Sequence, residues 1–117
     1  MPSRLANIAV DAVDQEVVAA FWCAALGWQV LERVDGVVSI GPAGAPDGCP
    51  GIDVLAVPEA KTGKNRLHLD LRADWGGQST ELARLLELGA RRVDVGQAPE
   101  VTWVVLADPE GNEFCLL

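Results

Sequence analysis

The chain has 117 residues, half of them hydrophobic, and carries 17 acidic against 9 basic side chains for a formal net charge of −8. A chain of this length forms one domain that buries roughly 65% of the surface exposed when unfolded, so it needs neither a metal nor a disulfide merely to fold. The acidic balance repels phosphate backbones and anionic lipid, which argues against nucleic-acid and membrane partners.

No apolar run approaches the roughly 20 residues of a membrane span, and "MPSRLANIAV" lacks the apolar core and cleavage site of a secretory signal. A cytoplasmic location is the expectation. Cys23, Cys49 and Cys115 are odd in number, widely spaced and without a C-x-x-C pair, which points to reduced thiols rather than a disulfide framework or zinc finger.

Residues 4–11, "RLANIAVD", alternate so that Ile8 and Val10 share one face while Asn7, Ala9 and Asp11 share the other, as in a first strand. Asp14 then suits the cap of a helix over about 14–26, with Val17, Val18, Phe21, Ala25 and Leu26 at helical spacing. Gly27 stands where a left-handed residue would end it. "WQVLERVDGVVSIG" reads as strands two and three joined by the turn dipeptide Asp35-Gly36.

The Gly- and Pro-rich "GPAGAPDGCPG" is a loop that opens no helix, and "IDVLAV" is strand four. "TGKN" superficially resembles a phosphate loop, but it lacks the preceding spaced glycine and leads into a strand. "KNRLHLDLRAD", residues 64–74, reads as strand five, with Arg66, His68 and Asp70 on one face and Leu67, Leu69 and Leu71 on the other.

A second helix over about 78–88 places Leu82, Leu85 and Leu86 on one face before Gly89. "ARRVDV", "VTWVVLA" and "NEFCLL" complete strands six to eight, the last two joined by Asp108-Pro109-Glu110-Gly111, with Pro and Gly at favoured turn positions. The order is β-α-β-β-β twice. "RLANIAV" aligns with "RLHLDL" and "ALGW" with "ELGA" at an offset of about 61 or 62 residues, as expected of an internal duplication.

The doubled plan, together with "FW...ALGW", "KNRLHLDL" and the closing "WVVLADPEGNEFCLL", resembles the vicinal oxygen chelate superfamily. More narrowly, the chain is similar to its glyoxalase-like proteins, beside glyoxalase I, bleomycin-resistance proteins and extradiol dioxygenases. The resemblance covers nearly the whole chain. It implies an α+β fold: a single domain, residues 1–117, of two βαβββ modules in tandem, about 1–60 and about 61–117, with curled mixed sheets enclosing a cavity and helices on the convex face. If Leu67, Leu69 and Leu71 pack against helices, then Arg66, His68 and Asp70 face that cavity, as Asn7 and Asp11 do on strand one. On strand eight, Phe114 and Leu116 would face the helices and Glu113 and Cys115 the cavity.

In metal-dependent relatives, four side chains hold a divalent ion, one each from the first, fourth, fifth and eighth strands. The resemblance carries those positions to Asn7, Leu55, His68 and Cys115. Leu55 has no lone pair, and Cys115 is a soft ligand that would favour zinc. Four readings follow. His68 is a hydrogen-bonding group held by Asp70 or Arg66 in a metal-free binding site. His68 and Cys115 hold zinc together with a carboxylate from Asp70, Asp11 or Glu113. Cys115 is a nucleophile activated by His68, or His68 or Glu113 moves a proton on a bound carbonyl compound.

Trp22, Trp28, Trp75 and Trp103 are expected to pack in the core. Trp103 alone depends on the length of the turn before strand eight, and it would line the cavity if that register allows. The expected function is a small-molecule-binding glyoxalase-like protein with a degenerate metal site. The alternatives are a metal-dependent lyase, isomerase or dioxygenase, and a non-catalytic, ligand-sequestering resistance protein. The catalytic candidates are His68, Glu113 and Cys115, with Asn7, Asp11, Leu55, Asp70 and Trp103 around the ligand. A small-molecule ligand and a homodimer are the expected partners.

Overall fold

The computed structural model describes residues 1–117, which divide into two compact units, Met1–Ala60 and Lys61–Leu117. The fold is α+β, and each unit carries one open four-stranded mixed sheet. No helix is long and apolar enough to cross a membrane.

In the first unit, β1 (Asn7–Ala12) leads into α1 (Gln15–Leu26), followed by β2 (Gln29–Val34), β3 (Val37–Gly41) and β4 (Gly51–Ala56). The Asp14 side chain accepts the Val17 N–H, as an N-cap should. Gly27 closes the helix at φ +67°, and the Trp28 N–H reaches back to the Cys23 carbonyl. The left-handed turn frees the chain to re-enter the sheet antiparallel to β3. Strand order is β1-β4-β3-β2, with β1 parallel to β4 and the other pairs antiparallel.

The face of α1 that is buried carries Val18, Phe21, Trp22 and Ala25, set against Val38, Ile40, Ile52 and Val54 from alternate positions of β3 and β4. Val17, expected on that face, is exposed, because the stripe runs i, i+3, i+4, i+7 from Val18 instead. Trp22 packs edge-on to Phe21, with ring centroids 5.2 Å apart.

The second unit repeats the plan with β5 (Asp70–Leu71), α2 (Gly77–Glu87), β6 (Arg91–Arg92), β7 (Val104–Ala107) and β8 (Glu113–Leu116). Its order, β5-β8-β7-β6, is the order of the first sheet shifted by four strands. The same topology twice is what an internal duplication produces. Leu85 is fully buried on α2, whereas Leu86, expected beside it, is partly exposed. The Gln78 amide ties the first turn of α2 to the carbonyls of Thr102 and Leu116.

Strand five is much shorter than its alternating pattern predicts. The ladder joins only Asp70 to Cys115 and Leu71 to Leu116, flanked by the Cys115 N–H bond to Leu69 and the Leu117 N–H bond to Leu71. Residues 64–67 have no partner strand, because β8 begins only at Glu113, which aligns with His68 and whose side chain takes the Asn65 N–H. Leu67 is consequently 89% exposed instead of packed against a helix. Trp75 is also exposed, at 86%, contrary to the expectation of core packing.

The β7–β8 connection is built around Asp108, which is 1% exposed yet fully engaged. Its carboxylate accepts the backbone N–H groups of Glu110 and Asn112 and the Asn112 side-chain amide, and its carbonyl accepts the Gly111 N–H. This turn fixes the register that pairs Val105 with Cys115 and Ala107 with Glu113.

Candidate functional site

The second unit contains a pocket of about 390 Å³ between β5, β7, β8 and the loop after β6. Its apolar wall consists of Val95, Trp103, Val105 and Leu117, while the Phe114 side chain, of opposite parity to Cys115 and 1% exposed, lies on the other face of the sheet. Trp103, just ahead of β7 and not part of the strand, lines the pocket beside Val105, which pairs with Cys115. It stays 42% exposed, half wall and half rim.

His68, Asp70, Cys115 and Glu113 line the pocket, all on β5, β8 or the segment leading into β5. The Asp70 Oδ1 lies 3.3 Å from the His68 Nδ1, and the Cys115 Sγ lies 3.9 Å from that same nitrogen. The ligand atoms of the three residues all lie within 4.8 Å of one another. The parallel β5–β8 register sets Asp70 opposite Cys115, and the imidazole two residues upstream folds over both. Arg66, expected on the same face, does not line the pocket; Lys64 does.

Burial pushes the Cys115 thiol above its ordinary pKa, and the Asp70 carboxylate raises it further by its charge and by a hydrogen bond, with Lys64 pulling the other way. The group is therefore a neutral thiol near pH 7, which is unfavourable for a nucleophile. Glu113 behaves in the opposite sense. Burial raises its pKa, but the Lys61 ammonium at 2.7 Å and the Asn65 backbone N–H at 3.1 Å together hold it below the usual carboxylate range. Such a carboxylate is ionised and already engaged, which suits an anchor better than a proton acceptor.

The remaining sequence candidates lie in the first unit. Asn7, Ala9 and Asp11 share the face of β1 opposite its half-buried Ile8 and Val10. The Asn7 amide donates to the Asp53 Oδ2 at 2.7 Å, and the Ser39 hydroxyl donates to the Asp53 Oδ1 at 2.7 Å. Asp11 sits in register with Leu55 and Leu55 with Val37, so Leu55 contributes only carbon to that face. Asp53 was not among the residues singled out from the sequence. No motif marks it; only the sheet register, in which Ala9 pairs with Asp53 as Asp70 pairs with Cys115, makes Asp53 the counterpart of Cys115 in the duplicated plan.

The family arrangement of four metal ligands does not fit these residues as the sequence positions them. Leu55 has no donor atom, and the Asn7 amide oxygen is only a weak neutral ligand.

A family model described as a glyoxalase-like domain matches residues 7–117. No curated protein matches the chain. Among solved structures, a glyoxalase/bleomycin resistance protein/dioxygenase family enzyme from Burkholderia phytofirmans PsJN is similar at a TM-score of 0.75 and 19% identity, covering 97% of each chain. The fosfomycin resistance protein FosX of Listeria monocytogenes, solved with Mn(II) and dihydroxypropylphosphonic acid, is similar at a TM-score of 0.75 and 16% identity, over 99% of this chain and 90% of that one. TnmS3, an antibiotic binding protein from Streptomyces sp. CB03234, is similar at a TM-score of 0.60 and 21% identity, over 98% of this chain and 94% of that one. Identities this low carry the fold and not the activity.

Proposed function

Because the chain belongs to the glyoxalase-like domain family, within the vicinal oxygen chelate superfamily, we propose that it binds a small organic molecule in the pocket of its second unit and that the family's metal site is degenerate in it. The observation that carries this reading is the pocket itself. About 390 Å³ is walled on one side by Trp103, Val105 and Leu117 and floored by His68, Asp70 and Cys115, the mix of apolar wall and few polar groups typical of ligand sites. The antibiotic-binding and resistance functions of TnmS3 and FosX support a small-molecule ligand without naming it. In this reading His68 orients the ligand through a hydrogen bond while Asp70 holds the ring.

The test is a titration with the neutral fluorophore N-phenyl-1-naphthylamine. Saturable binding that weakens about tenfold in Trp103→Ala, whose large aromatic contact area is lost, is the expected result. Unsaturable binding, or binding indifferent to Trp103, removes the reading.

A second reading, a metal-dependent lyase, isomerase or dioxygenase, is favoured by one observation. A tetrahedral zinc ion at about 2.0–2.3 Å from N, O and S ligands sets those atoms roughly 3.3–3.6 Å apart. The His68–Asp70 and His68–Cys115 separations are 3.3 and 3.9 Å. His68, Asp70 and Cys115 would supply three ligands and leave a fourth position facing the pocket. Cobalt(II) added to the protein would then give a thiolate-to-metal absorption band that Cys115→Ser abolishes; no band and no change in melting temperature with Zn(II) would dismiss it.

A further inference from the structure

Every acidic group on the pocket lining already has its donors, whereas several donors there have no acceptor. Asp70 is shared between His68 and Cys115. Glu113 is neutralised by Lys61 and capped by the Asn65 N–H. Lys64, by contrast, forms no ion pair, and its ammonium gives a single hydrogen bond, to the Asn65 carbonyl at 3.0 Å. An ammonium carries three donor hydrogens, so two remain to be placed.

Lys64 is also the one lining residue with a fixed positive charge, in a chain whose net charge is −8. Its field reaches the floor, since it draws the Cys115 thiol downward against the raising effects of burial and Asp70. Two neutral donors join it. The Gln97 side-chain oxygen is taken by the Val95 N–H at 2.9 Å, which leaves the amide nitrogen of Gln97 as the available end. The Trp103 indole N–H has no acceptor.

We infer that the pocket selects an anionic ligand, a carboxylate or similarly small anion carried on a flat apolar body, with Lys64 as the residue that recognises the charge. The inference rests on the ligand-binding reading of this pocket and deepens it by naming the ligand class. The physical argument is one of complementarity. A ligand bearing donors would meet carboxylates that already hold donors, whereas a ligand bearing an anion would complete the Lys64 ammonium and could also accept from Gln97 or Trp103. The wall of Trp103, Val105 and Leu117 accommodates the apolar body.

Glu113 has a positioning role here. It pins the segment from Lys61 to Asn65, on which Lys64 sits, to the start of β8. The lysine is thereby fixed at the pocket although its segment belongs to no strand.

The test is competition against bound N-phenyl-1-naphthylamine at pH 7.5 with two isosteric probes, 1-naphthoate and 1-naphthamide. Naphthoate is expected to displace the fluorophore at about a tenfold lower concentration, a preference that shrinks with added salt, as befits a partly exposed cation. Lys64→Gln should bring the two probes to equal potency while leaving naphthamide unchanged, and Lys64→Arg should retain most of the preference. Melting temperatures of both variants check folding.

Equal potency in the native protein, or a preference that survives in Lys64→Gln, would overturn the inference while leaving the binding reading intact. If neither probe displaces the fluorophore and Trp103→Ala does not weaken it, the pocket reading and the inference fall together.

Discussion

The Lys61 Nζ lies 2.7 Å from the Glu113 Oε1, and the same oxygen accepts the Asn65 backbone N–H at 3.1 Å. The two side chains are largely covered, with 20% and 14% of their surface exposed. A residue whose position suggests proton transfer is therefore a clamp that fastens residues 61–65 onto β8. Glu113→Gln is expected to cost about 1–2 kcal/mol, the net worth of a shielded charged pair with a charge-assisted hydrogen bond.

The pH dependence of that cost has a definite sign. The folded-state pKa of Glu113 lies below the ordinary carboxylate value. Its stabilisation is therefore fully present above that ordinary value, about 4.3, and is lost as pH falls through the lower folded value. The melting-temperature gap between the native protein and Glu113→Gln should be constant above about pH 5 and close on acidification. A gap that stays open at the acid end would show that the variant perturbs something other than the ion pair.

Cysteine reactivity provides a second check on the site. Burial and the neighbouring Asp70 raise the pKa of Cys115, and burial raises that of Cys23, against which Arg33 pulls down. Cys49 is exposed. Iodoacetamide at pH 7.5 should therefore label Cys49 quickly and Cys115 slowly, as read by peptide mass mapping. Asp70→Asn removes the negative charge and should move the Cys115 labelling profile to lower pH. Labelling of Cys115 as fast as Cys49 in the native protein would instead revive the thiolate nucleophile.

What the sequence revealed depended on where alternation and ladder coincide. β1, β4 and β8 alternate and are paired along their length, so Asn7, Asp11 and Cys115 fall on the faces their parity predicts. "KNRLHLDL" alternates equally well but is paired only at its end, because nothing in the pattern of one strand reports how far its neighbour extends. Hence Leu67 was expected inside and lies outside, while His68 and Asp70 reach the pocket from a segment that is mostly not strand. Asp53 is not legible in the sequence, because a lone aspartate in "IDVLAV" carries no motif. Only the sheet register, which pairs Ala9 with Asp53, equates it with Cys115. Lys64 is not legible for the converse reason: its importance comes from the lack of an ionic partner, which is a property of space and not of sequence.

The turn at Asp108 should be as costly to disturb as a core residue. Its buried carboxylate satisfies the N–H groups of Glu110 and Asn112, and replacing it with alanine leaves them with no acceptor. Asp108→Ala is expected to destabilise by about 2–4 kcal/mol in chemical denaturation. It should also weaken fluorophore binding, because the turn sets the register that places Val105 and Cys115 on the pocket. A loss below about 0.5 kcal/mol, the ordinary range for surface changes, would show that the turn holds without its acceptor.

Two glycines test the fold by different physics. Gly27 ends α1 at φ +67° in open space, so Gly27→Ala meets no atom but must hold a left-handed backbone, costing about 1 kcal/mol. Gly51 has no such φ. A Cβ at Gly51 would lie 2.6 Å from the backbone carbonyl oxygen of Ile40, in the ladder between β3 and β4. A side-chain tip can move aside, but a backbone carbonyl at the end of the β3–β4 ladder cannot do so without shifting the strand. Gly51→Ala should therefore cost about 2–3 kcal/mol, the upper part of the range for overpacked cores, and lower the melting temperature more than Gly27→Ala. If the two variants melt together, the close approach of β3 to β4 at Gly51 is looser than 2.6 Å implies.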